Sequence, residues 1–180
     1  MSRAPEILRG MVAFVSEPVQ EQEETRWLSS DEQASWRALL RGTSSLMAAL
    51  DADLQPHGVS LSEYEILAML SEQPGQSTRM SALADMVAQS RSRLTHAANR
   101  LEKRGWVVRQ RSERDGRGVL LTLTREGVVA VRQLAPVHLE SVRARVVDLM
   151  SAEDFAVLGR VMALIAEGSS RQAPSEPASS

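Results

Sequence analysis

The chain has 180 residues, 43% of them hydrophobic and 24% charged, with a formal net charge of −2, a globular composition that excludes a wholly disordered or collagen-like chain. It contains no cysteine, which excludes disulfide bonds, thiolate nucleophiles and zinc sites with cysteine ligands. The longest apolar run, residues 161–166, is far shorter than the roughly 20 residues of a membrane-spanning helix, and because the N-terminus also lacks a secretory signal we expect a cytoplasmic protein.

Apolar residues at helical spacing predict four helices after an N-terminal extension of residues 1–25. A capping box of Ser30 and Gln33 opens the first helix, and Pro56 and Gly58 end it. Ser90 is predicted to cap the fourth helix, and Gly105 to end it. The predicted ranges are residues 30–54, 61–71, 80–87, and from Ser90 to Lys103 or Arg104.

The spacing of apolar residues changes after Gly105. Residues 106–110 and 119–123 predict a β-hairpin with a long basic tip. Thr124 is predicted to cap a long helix that Pro136 should kink, and Ser151 with Asp154 opens a final helix. The tail, residues 169–180, is rich in Ser, Pro, Ala and Gln and is predicted to be disordered.

The order helix, turn, helix, hairpin is that of a winged helix-turn-helix, in which the second helix of the pair enters the major groove of DNA. We therefore predict a mainly α-helical fold with a small β-hairpin. Residues 61–123 would form the DNA-binding domain, and residues 26–60 and 124–168 a helical dimerisation region.

Charge is concentrated in the predicted DNA-binding part. Residues 91–117 contain nine basic and three acidic side chains, a net charge of +6, so the rest of the chain carries −8. Such a segment indicates a polyanionic partner, although a solvated charged face is the simpler alternative.

The fourth helix divides into two faces at about 100° per residue. Its core face is predicted to be Leu94, Ala97, Ala98 and Leu101. Ser92, Thr95, His96, Asn99 and Lys103 lie opposite, with Arg93 and Arg100 on the flanks. Asn99 could pair with adenine and Arg93 with guanine, but an ordinary amphipathic surface helix would show the same division.

The hairpin tip favours the DNA-binding interpretation. Gly116 and Gly118 permit a tight reversal and a close approach to a sugar-phosphate surface. Asp115 is predicted to hold the wing by pairing with a nearby arginine. The full set of predicted DNA contacts is Ser90, Arg91, Ser92, Arg93, Thr95, His96, Asn99, Arg100, Lys103, Arg114 and Arg117.

The run from Arg91 through Gly127 resembles the multiple-antibiotic-resistance regulator (MarR) family of bacterial transcription factors. The resemblance rests above all on Asp115, Arg117, Leu123, Thr124 and Gly127, in the pattern D-x-R-x-x-x-x-x-L-T-x-x-G. It implies a homodimeric regulator, expected to repress, that binds a pseudo-palindromic operator with the wing arginine in the minor groove. Gly116 departs from the family, which often has a basic residue there.

The resemblance also implies release from DNA by small phenolic or other aromatic anions. By position, the candidate contacts are Trp36, Leu40, Tyr64 and His138. Each has a structural alternative: an aromatic residue on an apolar stripe is usually a core or interface residue, and a lone histidine at core spacing is usually a satisfied interior one.

An enzyme is the main rival class, and the sequence lacks its motifs: there is no G-x-S-x-G, no phosphate-binding glycine loop and no H-E-x-x-H. Asp51 and Asp53 are read as solvated helix charges. No cofactor or metal is predicted. The remaining alternative is a winged-helix module for protein contact without specific DNA binding, but such a helix would display exposed Leu, Phe or Met.

Overall fold

The computed structural model of the protein describes residues 25–87, 89–111 and 118–171. The chain separates into two units, Met1–Leu40 and Arg41–Ser180. The described residues form the helices α1 (Ser30–Leu54), α2 (Leu61–Glu72), α3 (Met80–Met86), α4 (Arg91–Lys103), α5 (Arg125–Arg145) and α6 (Ala152–Arg171), and the strands β1 (Ser77–Arg79), β2 (Val107–Arg111) and β3 (Val119–Leu123). The prediction of a mainly helical fold with a small hairpin is confirmed.

Helix starts follow local hydrogen-bonding chemistry. The capping box of α1 is Ser29 with Glu32, since the Ser29 N–H donates to Glu32 Oε2 at 2.8 Å and the Glu32 N–H to Ser29 Oγ at 3.2 Å. The predicted box of Ser30 with Gln33 is therefore wrong by one residue. A carboxylate accepts more strongly than an amide, and the Gln33 amide oxygen instead accepts from Arg37 at 3.0 Å.

The sheet has one strand more than predicted. The strands are antiparallel in the order β1, β3, β2, with Val107 opposite Leu123 and Ser77 opposite Thr122. The hydroxyls of Ser77 and Thr122 lie 2.7 Å apart. β1 is three residues, Ser-Thr-Arg, with no apolar alternation, so only its pairing with a distant strand makes it a strand.

The core is built from leucines of several elements. Leu54, Leu67, Leu83, Leu94 and Leu121 are each at most 1% exposed, and they come from α1, α2, α3, α4 and β3. Burying five such side chains contributes about 2 kcal/mol each. The helix-turn-helix and the sheet therefore pack against the last turn of α1.

Asp51 and Asp53 are not solvated charges, so that prediction is wrong. Asp51 Oδ1 accepts from the Leu61 N–H at 2.8 Å, at the start of α2. Asp53 Oδ2 accepts from the Ser141 hydroxyl at 2.6 Å and from Arg145 Nη2 at 2.9 Å. These hydrogen bonds lower the pKa of Asp53, and they join the end of α1 to α5.

The last helix exposes its apolar residues. Phe155, Leu158, Met162 and Ile165 recur at helical spacing on α6 and are all exposed. The predicted tail begins too early, because α6 continues to Arg171; residues 172–180 lie outside the described residues. α5 runs unbroken through Pro136. Across the described ranges, no helix is both long and apolar enough to cross a membrane.

Candidate nucleic-acid interface

α4 presents the polar side predicted from its periodicity. Ser90 caps the helix by accepting from the Arg93 N–H at 3.3 Å, and Gly105 follows its end with φ of 72°, which glycine adopts without strain. The four predicted core residues, Leu94, Ala97, Ala98 and Leu101, are buried. The predicted DNA contacts of this region, Ser90, Arg91, Ser92, Arg93, Thr95, His96, Asn99, Arg100 and Lys103, are all exposed.

Arg100 is bonded inside the protein despite its exposure. Its Nε donates to Glu63 Oε1 at 2.7 Å. Glu63 is 3% exposed, and its other oxygen, Oε2, accepts from the Ser60 N–H at 2.9 Å and the Ser60 hydroxyl at 3.0 Å. Both oxygens of this buried carboxylate are thus engaged, as a buried charge requires.

These contacts keep Glu63 ionised. Burial disfavours the carboxylate, but the hydrogen bonds from the Ser60 backbone, Arg100 and the Ser60 side chain outweigh it and hold the pKa of Glu63 below its usual value. Sequence reasoning missed Glu63. The signal was present, since Ser60-Leu61-Ser62-Glu63 is a capping-box pattern.

The turn before α4 is fixed to α2 by one amide. Gln89 Nε2 donates to Glu65 Oε2 at 3.1 Å, and Gln89 Oε1 accepts from the Ser62 hydroxyl at 2.8 Å. Burial raises the pKa of Glu65, opposed by the Gln89 hydrogen bond and the charge of Arg93. An acidic side chain therefore lies on the Arg93 side of α4.

β2 is clamped to the opposite flank of α4. The Arg109 guanidinium forms an ion pair with Glu102, whose Oε1 also accepts from the Arg109 N–H at 3.1 Å. Arg109 Nη2 reaches the backbone oxygen of Thr95 at 3.4 Å. Arg104, after α4, donates to the backbone oxygen of Gly58 and lies 5.1 Å from the Trp106 ring. Part of the basic segment thus holds the fold together rather than facing solvent.

The wing tip falls on residues that are not described. The predictions for Arg114, Asp115, Gly116 and Arg117 all lie in residues 112–117, outside the described residues. β2 and β3 flank this segment and pair in register from Val107–Leu123 to Arg111–Val119.

The junction of β3 and α5 explains the L-T-x-x-G pattern. The Thr124 hydroxyl donates to the Gly105 backbone oxygen at 2.7 Å and accepts from the Gly127 N–H at 3.0 Å. The Thr124 N–H donates to the Trp106 oxygen at 3.0 Å. A Cβ at Gly127 would lie 2.0 Å from that same oxygen, so only glycine fits without displacing backbone.

Two of the four candidate effector contacts lie against each other. The rings of Tyr64 and His138 are 4.5 Å apart at 39°, and Tyr64 is 6% exposed. The buried Nδ1 of His138 has no hydrogen-bond partner among the described residues. Trp36 and Leu40 belong to the first unit and are about half exposed.

We expect acid to destabilise the protein through His138. Burial holds the pKa of the folded ring below its usual 6.5, so the unfolded chain takes up the proton first as the pH falls. The resulting stability is present above the unfolded pKa and is lost on acidification. Urea unfolding at about pH 7.5 and about pH 5.5 should show a smaller pH effect for His138→Phe than for the wild type; equal effects would contradict this.

Comparison with known proteins identifies relatives of this chain. The sequence model of the MarR family matches residues 57–118. The chain is 42% identical to AbsC, a MarR family transcriptional regulator from Streptomyces coelicolor, with a TM-score of 0.78, covering 82% of this chain and 100% of that one. Sco3205, a MarR family regulator from the same organism solved in complex with DNA, is 40% identical with a TM-score of 0.79, covering 86% and 95%.

A more distant relative carries a functional name. The transcriptional repressor MprA of Escherichia coli K12 is 31% identical over 100 residues, which are 56% of this chain. The match spans 57% of the length of MprA.

Proposed function

The chain belongs to the MarR family of DNA-binding transcription regulators, and on that basis we propose that it is a homodimeric repressor of a pseudo-palindromic operator. The observation that carries the proposal is α4, whose polar side is exposed while its core side is buried. Sco3205, at 40% identity, was solved in complex with DNA. Repression is supported by the name of MprA.

We assign base reading to the exposed polar side of α4. Asn99 can bond the adenine edge in two places and Arg93 the guanine edge, whereas Ser92 and His96 offer single hydrogen bonds. Arg91 and Lys103 supply positive charge for phosphates. The Thr95 hydroxyl donates to the Arg91 backbone oxygen at 2.8 Å. The hydroxyl oxygen of Thr95 can still accept a hydrogen bond from DNA.

The wing is assigned a minor-groove role. Arg114 and Arg117 would lie along the groove, where narrow A·T-rich sequence attracts a guanidinium, and Asp115 would hold the wing by pairing with an arginine. The contacts of Arg109 support this assignment, because they hold the middle of β2 against α4. The wing and α4 would then approach DNA as one unit.

The homodimer is supported by the apolar stripe of α6. α6 exposes Phe155, Leu158, Met162 and Ile165. Most helical stability in proteins comes from packing of such an apolar face, so an exposed stripe usually marks an interface. We propose that α1, α5 and α6 of two copies pack around a two-fold axis. The two α4 helices would then read half-sites about 34–36 Å apart.

Sedimentation equilibrium at micromolar concentration is expected to give twice the 19.8 kDa mass of one chain. Leu158→Glu places a charge in the stripe and should shift the protein to the single-chain mass. Arg160→Glu on the opposite side of α6 is the matched control and should remain a dimer. A wild-type particle with the mass of one chain would remove the homodimer from the proposal.

The function itself is tested by a gel shift with the DNA flanking the protein's own gene. A retarded band that survives excess random duplex is expected, and transcription in vitro from a promoter on that fragment should fall when protein is added. Binding to neither duplex would leave the winged helix as a module for protein contact. Binding with rising transcription would make the protein an activator.

We also propose an aromatic anion as effector at Tyr64 and His138. The support is the unpartnered His138 Nδ1 beside the Tyr64 ring, since an N–H at that position of the neutral imidazole would donate to a carboxylate. Benzoate should weaken the gel shift of the wild type and not that of His138→Phe. Equal weakening of both would place the effector elsewhere.

A further inference from the structure

Arg100 and Glu63 form an ion pair between α4 and α2 that crosses 37 positions of sequence. On a helical wheel at about 100° per residue, Arg100 lies within about 20° of Arg93, seven residues earlier, on the flank of α4 that faces α2. Glu102 and Thr95 lie on the other flank, where Arg109 binds them both. α4 is thus held along both flanks, with Ser92, His96, Asn99 and Lys103 between them.

This arrangement restricts the rotation of α4 about its axis. The core stripe includes two alanines, Ala97 and Ala98, whose short side chains interlock less deeply with neighbours than leucines do. A rotation of about 20° would move atoms at the rim of a helix of radius about 5 Å by nearly 2 Å. A bidentate hydrogen bond to a base does not survive such a shift, because hydrogen bonds weaken steeply with distance and angle.

The two ends of the ion pair differ in their surroundings. The Arg100 side chain is 54% exposed, whereas the Glu63 side chain is 4% exposed. A carboxylate buried to that degree keeps its charge only while its partners remain. If Arg100 turned outward to a DNA phosphate, Glu63 Oε1 would be left unpaired, while Oε2 is already committed to Ser60.

We infer that Arg100 is a positioning residue rather than a DNA contact, and that the Glu63–Arg100 pair sets the rotation at which α4 presents Asn99 and Arg93 to the bases. The inference rests on the proposed function, since it assigns a role within DNA recognition. It reassigns a residue that periodicity alone places among the DNA contacts.

The test compares binding of single and double variants to two duplexes of equal length: the fragment bound in the gel shift above and a random sequence. Arg100→Gln and Glu63→Gln should each lower the preference for the bound fragment about tenfold, which is within the range that one bidentate base contact contributes to discrimination. Affinity for random DNA and the salt dependence should stay close to wild type. The double variant should lose no more than the worse single variant, because both changes break one contact.

A phosphate contact predicts a different pattern. Arg100→Gln would then weaken binding to both duplexes alike and lower the salt slope by about one. Glu63→Gln would strengthen binding to both, because it would release the guanidinium to DNA. Either result overturns the inference.

Two controls define the scale. Lys103→Gln, exposed on α4, should behave as a phosphate contact on both duplexes, and Glu72→Gln, exposed at the other end of α2, should change nothing. Thermal unfolding of each variant gives its folded fraction. A variant that merely unfolds would lose apparent affinity for both duplexes equally. If Glu63→Gln does not fold, Arg100→Gln and Arg100→Lys test the inference. Both should lose the preference for the bound fragment, because lysine keeps the charge of Arg100 but lacks the Nε that donates to Glu63. If the wild-type protein binds no DNA, the proposed function is wrong. If the wild-type protein binds DNA and the variants keep its preference for the bound fragment, only this inference is wrong.

Discussion

Gly127→Ala is expected to lower the free energy of unfolding by about 3 kcal/mol, at the upper end of what overpacking costs. The added Cβ would lie 2.0 Å from the Trp106 backbone oxygen and 3.1 Å from the Leu123 side chain. The Trp106 oxygen cannot retreat freely, because it accepts from the Thr124 N–H at 3.0 Å. Relief would have to come from separating the start of α5 from β2.

Chemical denaturation in urea measures this loss, provided that the slope with denaturant stays unchanged. Gly42→Ala is the matched control. Gly42 lies in α1 with nothing within 4 Å of an added Cβ, and alanine in a helix interior should add about 0.5–1 kcal/mol. Equal stabilities of the two variants would contradict this prediction. They would show that the β3–α5 junction accommodates a Cβ at position 127 without loss of stability.

Arg93→Ala and Asn99→Ala are each expected to weaken binding to the cognate duplex by about 1–3 kcal/mol, and binding to random DNA by much less. Both side chains are exposed on α4, and both can make paired hydrogen bonds to a purine edge. Arg93 lies near Glu65, whose Oε2 accepts from Gln89.

Fluorescence anisotropy over a salt series separates base reading from phosphate binding. For Asn99→Ala the salt slope should not change, because no charge is removed. Ser92→Ala is the control for a position that offers one hydrogen bond rather than two, and it should cost less. An equal loss on cognate and random DNA would place Arg93 and Asn99 among the residues that contact the backbone.

Local sequence patterns predicted the elements of this protein because those elements depend on near neighbours. Ser90 bonds three residues ahead, and Thr124 does the same at Gly127. The two faces of α4 follow from a repeat of 3.6 residues. The one-residue error at the start of α1 arose where Ser29 and Ser30 both precede a plausible partner, and the carboxylate of Glu32 prevailed.

The sequence by itself therefore determined the helices, the hairpin and the exposed side of α4. Only the tertiary structure decided which charges are available to a partner: Arg100 is bonded to Glu63, 37 residues away, and Asp53 to Ser141, 88 residues away. Periodicity reports whether a side chain faces the core or solvent, but an ion pair at the edge of the core depends on which distant element arrives beside it. The energy of burial selects that partner, and burial is a property of the folded chain as a whole.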